Sequence, residues 1–215
     1  MLIVGAKGFA KEVLEIPHQL NQLENIVFYD DISSDIPHLL YDKFPIMKSI
    51  QEAENYFKTT DNQFTIGIGN PVLRKKIFEK FTAIGGKFVS TISIDSKISS
   101  YEVLIGEGVN ILAGAILSNS VSIGKGCIIY YNSIITHDCE IGDFVEISPS
   151  VTVLGRVTID SYSQIGANAT ILPNIKIGKN VIVGAGSVVT KNLPDNCVAV
   201  GIPAKVIKEL PQLEF

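Results

Sequence analysis

The stretch ILAGAILSNSVSIGKGCIIYYNSIITHDCEIGDFVEISPS, residues 111–150, decides the fold of this chain because its branched aliphatic residues recur every six positions. A simple strand would alternate apolar and polar residues every two positions and a helix would repeat every 3.6 or so, and neither predicts one branched aliphatic in every six residues over this length. The pattern therefore predicts a repeat architecture. All fifteen positions at this step are Ile, Leu or Val: Ile105, Ile111, Leu117, Ile123, Ile129, Ile135, Ile141, Ile147, Val153, Ile159, Ile165, Ile171, Ile177, Val183 and Val189.

A second set of positions, four residues after each of these aliphatics, holds only uncharged and mostly small side chains. The pattern predicts short flat strands joined by corners, with the branched residue pointing inward. Because one coil cannot bury its apolar side alone, coils stack around a continuous core, and the C-terminal half is predicted to be a parallel β-helix. The second set is Val109, Ala115, Val121, Cys127, Ser133, Cys139, Val145, Val151, Val157, Ser163, Ala169, Ile175, Val181, Ser187 and Leu193.

Glycine often follows the repeat aliphatic, and we expect these glycines to supply the positive φ that corners between strands require. Cys127 and Cys139 fall on the small-residue positions, so both are predicted to lie in the core. With Cys197 they show no metal-ligand spacing and cannot all pair, so neither a metal site nor a disulfide framework is expected. The glycines are Gly106, Gly124, Gly142, Gly166, Gly178 and Gly184.

Residues 1–92 have a different rhythm, in which short apolar strands alternate with helical segments. A strand over 2–4 leads through the turn Gly5-Ala6-Lys7-Gly8 into a helix over 9–19. Further strands are predicted over 26–29 and from residue 64, and a helix over 72–81. This alternation predicts a small parallel α/β unit. Its glycine-rich turn suits a phosphate, because free backbone N–H groups and the helix dipole both favour an anion.

Composition narrows the class of partner. The chain has 215 residues, 46% of them hydrophobic and 19% charged, which is enough for one large or two small domains with real cores. The net charge is −4 and the sequence has no Lys/Arg cluster, so it predicts no basic surface that would bind nucleic acid. The N-terminal apolar run is broken by Gly5, Lys7 and Gly8 and is too short for a signal peptide or a membrane span. We therefore expect a cytoplasmic protein with small-molecule partners.

Among the three histidines, His137 is the candidate catalytic base. His18 and His38 each follow a proline and are expected at the surface. His137 stands third in the hexad ITHDCE, residues 135–140, outside the inward-pointing positions and beside Asp138. Imidazole titrates near neutral pH and can take a proton from an attacking nucleophile, while a neighbouring carboxylate orients the ring.

The hexapeptide pattern, taken with VGAKGFAKEV, YDD, IGIGN followed by an Arg-Lys helix, and HDCEIGDF, resembles one family across nearly the whole chain. That family is the hexapeptide-repeat acyltransferases, in the subfamily of bacterial sugar acetyltransferases for nucleotide-linked 4-amino-4,6-dideoxy sugars and for sialic acid O-acetylation. The resemblance implies a left-handed β-helix with three hexads per coil, acetyl-CoA as cosubstrate and a homotrimer. It also implies a Rossmann-like nucleotide-sugar-binding domain over 1–92, the β-helix over 93–200 and a capping segment over 201–215.

The same resemblance assigns the site residues. His137 would be the general base and Asp138 its support. At eighteen residues per coil, Gly155 stacks on His137, where the family places the amide that binds the thioester carbonyl as an oxyanion donor. Ala167 and Ala185 match the positions whose amides hold the pantetheine arm of CoA. The nucleotide-sugar site would be lined by Gly5, Lys7, Gly8, Asp30, Asp31 and Asn70.

The favoured hypothesis is N-acetylation of the 4-amino group of a UDP- or dTDP-linked 4-amino-4,6-dideoxy sugar in bacterial glycan biosynthesis. O-acetylation of sialic acid or another sugar hydroxyl is the nearest alternative. A non-catalytic β-helix that binds sugar nucleotides or serves as an assembly scaffold is a third hypothesis. Tyr130 and Glu146 stand where many relatives have Asn and some have a second His, near the acceptor sugar. The acceptor is therefore the part that the sequence determines least.

Overall fold

The computed structural model describes residues 1–214 and divides into two compact units, one ending at Ile94 and the other beginning at Asp95. The N-terminal unit consists of three helices and a sheet. Its elements in chain order are β1 (Leu2–Val4), α1 (Gly8–Gln19), β2 (Val27–Tyr29), β3 (Leu39–Leu40), β4 (Phe44–Met47), α2 (Ile50–Thr59), β5 (Gln63–Ile66), α3 (Pro71–Ala83), β6 (Lys87–Phe88) and β7 (Thr91–Ile92).

The sheet of this unit has the strand order β3-β4-β2-β1-β5-β6. Every neighbouring pair is parallel except β3 with β4. The predicted parallel α/β unit is thus confirmed. The sequence interpretation missed α2 and the short strands β3, β4 and β6. Parallel strands bring their carboxyl ends to one edge, so the loops that follow β1, β2 and β5 lie together there.

The three helices begin in different ways. Ser49 and Glu52 form a reciprocal capping box at the start of α2. The Asn70 side chain accepts from the Leu73 amide at 2.9 Å at the start of α3. The N-cap residue of α1 is Lys7, whose side chain makes no capping hydrogen bond. Within residues 1–214, no helix is long and apolar enough to cross a membrane.

The C-terminal unit is a left-handed β-helix of two-residue strands. They are β8 (Lys97–Ile98), β9 (Leu104–Ile105), β10 (Asn110–Ile111), β11 (Ile116–Leu117), β12 (Ser122–Ile123), β13 (Ile128–Ile129), β14 (Ile134–Ile135), β15 (Glu140–Ile141), β16 (Glu146–Ile147), β17 (Thr152–Val153), β18 (Thr158–Ile159), β19 (Gln164–Ile165), β20 (Thr170–Ile171), β21 (Lys176–Ile177), β22 (Ile182–Val183) and β23 (Val188–Val189).

Three parallel sheets form the sides of this β-helix. Face A contains β10, β13, β16, β19 and β22; face B contains β8, β11, β14, β17, β20 and β23; face C contains β9, β12, β15, β18 and β21. From β9 to β20 each strand residue pairs with the residue eighteen positions later, as Ile111 does with Ile129. No insertion interrupts this register, so one hexad forms one side of one coil.

The repeat positions form the core as predicted. Fourteen of the fifteen aliphatics are buried, and Ile105 in the first complete coil is partly exposed. All fifteen positions four residues later are buried as well. Cys127 and Cys139 belong to this second set and are confirmed as core residues with free thiols. The first residue of most strands is exposed or partly exposed, whereas Asn110 and Ile128 on face A are buried, so faces A, B and C have different outer surfaces.

The expected role of the glycines was wrong. Positive φ occurs three residues after the repeat aliphatic, at positions filled mostly by Asn, Asp, Ser and Gly, as at Asn132, where φ is 57°. The glycines that directly follow the aliphatic are needed for space. A Cβ on Gly142 would lie 2.7 Å from the Ser161 backbone nitrogen in the next coil. Neighbouring coils approach too closely there for most side chains.

An antiparallel hairpin completes the C-terminal unit. β24 (Cys197–Gly201) pairs in parallel with β22 and extends face A, and β25 (Ala204–Glu209) pairs with β24. The hairpin therefore starts four residues before the predicted capping segment. It covers a strand edge that would otherwise be open to other chains.

Gly142→Ala tests the requirement for space. Its Cβ must push two coils apart, so we expect the free energy of unfolding to fall by about 1–3 kcal/mol. The measurement is denaturant unfolding followed by circular dichroism. Lys176→Ala, at an outward-facing position of the same unit, is the control and should change stability by less than about 0.5 kcal/mol. Equal stability of the two variants would contradict the steric role of the glycine.

Candidate active site

His137, Asp138 and Gly155 meet at the corner between faces B and C. Asp138 adopts the left-handed conformation, with φ of 59°, which aspartate tolerates better than most residues. This turn brings its carboxylate oxygen Oδ2 to 2.7 Å from Nδ1 of His137. Both side chains are about half exposed, at 53% and 51%, so a substrate can reach them.

The pairing with Asp138 fixes which ring nitrogen of His137 can act as a base. An ionised carboxylate only accepts hydrogen bonds, so Nδ1 carries the proton and Nε2 keeps its lone pair. Nε2 has no hydrogen-bond partner in the part of the chain that the structure describes, residues 1–214. The ring lies over Gly155, where an added Cβ would come within 2.7 Å of Nε2. Gly155 is therefore the residue that leaves room for the imidazole.

The backbone of Gly155 offers a hydrogen-bond donor beside this ring. Its carbonyl oxygen accepts from the Asn174 amide at 3.0 Å, and the next amide, of Arg156, donates to the carbonyl oxygen of His137 at 3.0 Å. The Gly155 N–H itself has no acceptor among residues 1–214. The backbone groups on either side of this N–H are hydrogen-bonded to neighbouring coils and hold it in place. An N–H held in this way is suited to bind an oxygen atom that becomes negative during a reaction.

Cys139 lies two residues from His137 but is not placed as a nucleophile. Its thiol is buried and contacts the Leu154 carbonyl oxygen at 3.2 Å. Burial raises the pKa of this thiol above its ordinary value, which disfavours the reactive thiolate. A search of the described residues finds no group of three or more His, Cys, Asp or Glu side chains that could hold a metal ion.

Ala167 and Ala185 lie on a different corner, between faces A and B. They stack on each other eighteen residues apart, and neither amide N–H has an acceptor within the described part of the chain. Face B separates this corner from the one that holds His137. A single chain therefore does not bring the two alanines to the imidazole, although both corners border the same face.

The N-terminal unit contains a separate cavity of about 510 Å³ at the carboxyl edge of its sheet. Five of the six predicted nucleotide-sugar residues line it: Gly5, Lys7, Gly8, Asp30 and Asp31. The sixth, Asn70, is not among the lining residues, because its side chain is engaged as the cap of α3. The uncapped first turn of α1 opens beside Gly8, where backbone N–H groups and the helix dipole favour an anion.

Sequence reasoning missed the contribution of α3 to this cavity. Leu73, Ile77 and Phe81, spaced four apart, give it an apolar wall, and Lys80 reaches into it from the same helix. The spacing was visible in the sequence, but nothing in the sequence alone oriented that face of α3 toward the glycine-rich turn. Tyr29, the last residue of β2, was missed because it was counted only as part of the strand.

The same helix carries a buried charge that supports the cavity. Arg74 is fully buried and donates to the carbonyl oxygen of Gly69, a residue of the loop that lines the cavity after β5. A buried guanidinium must have its donors satisfied, and the Gly69 carbonyl oxygen is one acceptor for them. Arg74 thereby ties the loop to α3.

Comparisons with known proteins divide the chain in the same way. Residues 1–81 match the profile of the PglD N-terminal domain, and residues 138–172 and 156–191 match the bacterial transferase hexapeptide of six repeats. No curated protein sequence matches the chain significantly. Among solved structures, WeeI from Acinetobacter baumannii AYE is 31% identical, with 96% of this chain and 98% of that chain covered at a TM-score of 0.86.

The acetyltransferase domain of PglB from Neisseria gonorrhoeae FA1090, in complex with acetyl coenzyme A, is 30% identical, with 96% of this chain and 98% of that chain covered at a TM-score of 0.84. The chain belongs to the hexapeptide-repeat sugar acetyltransferases with a PglD-type N-terminal domain. Another member is PerB from Caulobacter crescentus, solved with CoA and GDP-perosamine, which is 28% identical, with 96% of each chain covered at a TM-score of 0.85.

Gly155→Ala tests the packing of the acetyltransferase corner. The added Cβ occupies space that the His137 ring now fills, so the ring must leave its position over the backbone N–H. We expect kcat to fall about 10²-fold or more, as when an oxyanion donor is lost, while the melting temperature stays within a few degrees. A steady-state assay of thiol release and a thermal melt measure the two. Normal turnover would rule out this arrangement of ring and amide.

Proposed function

We propose that this acetyltransferase transfers the acetyl group of acetyl-CoA to the 4-amino group of a nucleotide-linked 4-amino-4,6-dideoxy sugar. Residues 1–92 would bind the nucleotide sugar, residues 93–200 would carry the transfer and residues 201–215 would cap the β-helix. Three buried free thiols suit a reducing compartment, so the proposed location is the cytoplasm. The GDP-perosamine bound to PerB supports an acceptor of this class.

One observation carries the proposal: the His137 ring, paired with Asp138 at 2.7 Å, turns Nε2 toward the Gly155 backbone. A base and an amide donor then flank one point outside the corner. A reacting carbonyl placed at that point has its oxygen at the N–H and its attacking amine at the imidazole. A purely structural β-helix would not require a glycine there to make room for a half-exposed histidine.

The chemistry follows from this placement. His137 Nε2 takes a proton from the neutral sugar amine as its nitrogen bonds to the thioester carbonyl carbon. Gly155 N–H donates to the oxygen that becomes negative, and Asp138 stabilises the imidazolium. When the carbonyl re-forms, the carbon–sulfur bond breaks and the imidazolium returns its proton to the thiolate. The products are an acetamido sugar and free CoA.

The cavity of the N-terminal unit suits the nucleoside diphosphate. The uncapped start of α1 and Lys7 supply donors and positive charge for the phosphates. The apolar wall on α3 suits a planar base, and Asp31 after β2 suits the N–H or O–H donors of the base or the ribose. Lys7 Nζ lies 2.7 Å from Asp35 Oδ1 in an exposed ion pair. Such a pair contributes little free energy, so Lys7 can leave it to bind a phosphate.

A substrate panel tests the proposed activity. Purified protein with acetyl-CoA should release thiol rapidly with a UDP-, dTDP- or GDP-linked 4-amino-4,6-dideoxy sugar, and far more slowly with free or CMP-linked sialic acid. His137→Ala should lower kcat about 10²–10⁴-fold, because a positioned base contributes that much, and should leave the fold intact by circular dichroism. His18→Ala, at an exposed histidine, is the control. Preference for a sugar hydroxyl would replace N-acetylation by O-acetylation.

We also propose that the enzyme acts as a homotrimer that associates through face B. The outward strand residues of this face carry no charge from Ile116 onward: Ile116, Ile134, Thr152, Thr170 and Val188. The matching positions on face C include Glu140 and Lys176. Face B is also bordered by the His137 corner and by the Ala167 and Ala185 corner. Association through this face would allow acetyl-CoA to lie between neighbouring β-helices.

Thr152→Arg and Thr158→Arg form a matched pair for the trimer. Both are the first residue of a strand in the same coil, one on face B and one on face C. Sedimentation should give a mass of three chains for the wild type and for Thr158→Arg. A charge buried without a partner disfavours association, so Thr152→Arg should sediment as a smaller species and lose affinity for acetyl-CoA. A stable Thr152→Arg trimer would exclude face B as the interface.

A further inference from the structure

The two adjacent aspartates after β2 have different surroundings. Asp30 is engaged by its own loop: Oδ1 accepts from the amides of Ile32 at 3.2 Å and Ser33 at 2.8 Å, and Oδ2 accepts from the Ser33 hydroxyl at 3.1 Å. These three bonds close a turn of the kind that aspartate commonly forms. The Asp30 carboxylate is therefore occupied in shaping the loop.

Asp31 instead bonds to side chains outside the loop. Its Oδ2 accepts from the Tyr29 hydroxyl at 2.8 Å and from Lys80 Nζ at 3.1 Å. Lys80 Nζ also lies 3.2 Å from the Tyr29 hydroxyl, so the three groups form a closed triangle. Both bonds to Asp31 use one oxygen, so Oδ1 is committed to neither side chain. All three residues line the cavity.

The charges of the triangle are well defined at neutral pH. Burial acts to raise the pKa of Asp31, but hydrogen bonds from Tyr29 and Lys80 outweigh it and hold that pKa below its ordinary value. Burial also acts to lower the pKa of Lys80, but its bonds to Tyr29 and Asp31 raise it overall. Burial and the bond to Asp31 raise the pKa of Tyr29. Asp31 is thus an anion, and Tyr29 and Lys80 are donors.

The surroundings of the triangle suit the nucleoside rather than the phosphates. Ile77 and Phe81 on α3 and Ile32 on the loop line the cavity together with it. Apolar side chains contact the faces of a planar base, whereas phosphates favour the backbone N–H groups at the start of α1. A carboxylate among apolar walls recognises the N–H or O–H donors at the edge of a base or ribose.

We propose that Asp31 is the specificity-determining acceptor for the nucleoside, that Tyr29 and Lys80 are positioning residues for its carboxylate, and that Asp30 acts only on the loop. This proposal rests on the proposed function, since it assigns roles within the same nucleotide-sugar cavity. Lys80 holds Asp31 in the orientation that binding needs. The carboxylate is then already ordered before the ligand binds, so binding loses less side-chain entropy.

The test uses the full chain and calorimetry with UDP, dTDP and GDP as probes. Loss of a hydrogen bond to a charged group lowers affinity about 10- to 100-fold, so Asp31→Asn should raise Kd for the best nucleotide by about that factor. Lys80→Met should raise Kd about tenfold, raise KM for the nucleotide sugar in parallel and leave kcat and KM for acetyl-CoA within about twofold. Lys58→Met removes an equal charge at an exposed site and is the matched control.

Double variants show whether Lys80 acts by positioning Asp31 or whether its loss damages the fold in general. If Lys80 acts through Asp31, Lys80→Met in the Asp31→Asn background should change Kd by less than about twofold, whereas its effect should add to that of Asp30→Asn. Lys80→Met should also move the loss of nucleotide affinity on acidification to higher pH, because the ammonium no longer lowers the pKa of Asp31. Additive effects with Asp31→Asn, or an unchanged Kd in Lys80→Met, would overturn the proposal.

Binding and transfer can fail independently. Thiol release that persists while Asp31→Asn and Lys80→Met bind nucleotides as tightly as the wild type would refute this inference and leave the proposed function standing. Nucleotide binding that depends on Asp31 and Lys80, without thiol release from any amino-sugar nucleotide, would refute the proposed activity and leave the assignment of the cavity standing.

Discussion

Stacking of coils at the spacing of one hydrogen-bonded strand is the constraint on which the rest of the C-terminal unit depends. Each backbone position is held over the position eighteen residues away by ladder bonds on both sides, at a separation of about 4.8 Å. His137 and Gly155 are such a pair, and the amides on either side of Gly155 take part in the ladder. The distance between the His137 ring and the Gly155 backbone is therefore set by the architecture of the whole column.

Asp138 serves the fold and the proposed catalytic pair with the same conformation. Position three after the repeat aliphatic requires positive φ in every corner, and an aspartate there satisfies the turn. The same left-handed conformation directs its carboxylate to the neighbouring imidazole. At the equivalent corner one coil later, Arg156 also has positive φ but leaves no carboxylate for a ring. The same backbone conformation thus yields an imidazole–carboxylate pair only where the side chains suit it.

The repeat made most of the fold predictable, because a period of six determines which residues face inward without reference to distant parts of the chain. The same count placed Gly155 on His137. Prediction failed where three-dimensional neighbours decide the role of a residue. Gly142 was assigned to backbone conformation, although the next coil leaves no room for a side chain. Lys80 was not assigned to the cavity, because only the folding of α3 over the sheet edge brings it there. The assignment of Asn70 to the nucleotide stays a prediction, although its side chain caps α3.

The uninterrupted register of the β-helix has a consequence for competing reactions. With no loop inserted between Ile105 and Leu193, this stretch of the β-helix supplies no lid over the corner where His137 is 53% exposed. A base that can activate an amine can also activate water, and water is present at far higher concentration than any sugar. Selectivity for aminolysis over hydrolysis of the thioester then depends on holding the amine at a high effective concentration. In this design, tight capture of the nucleotide protects the acetyl donor from wasteful hydrolysis.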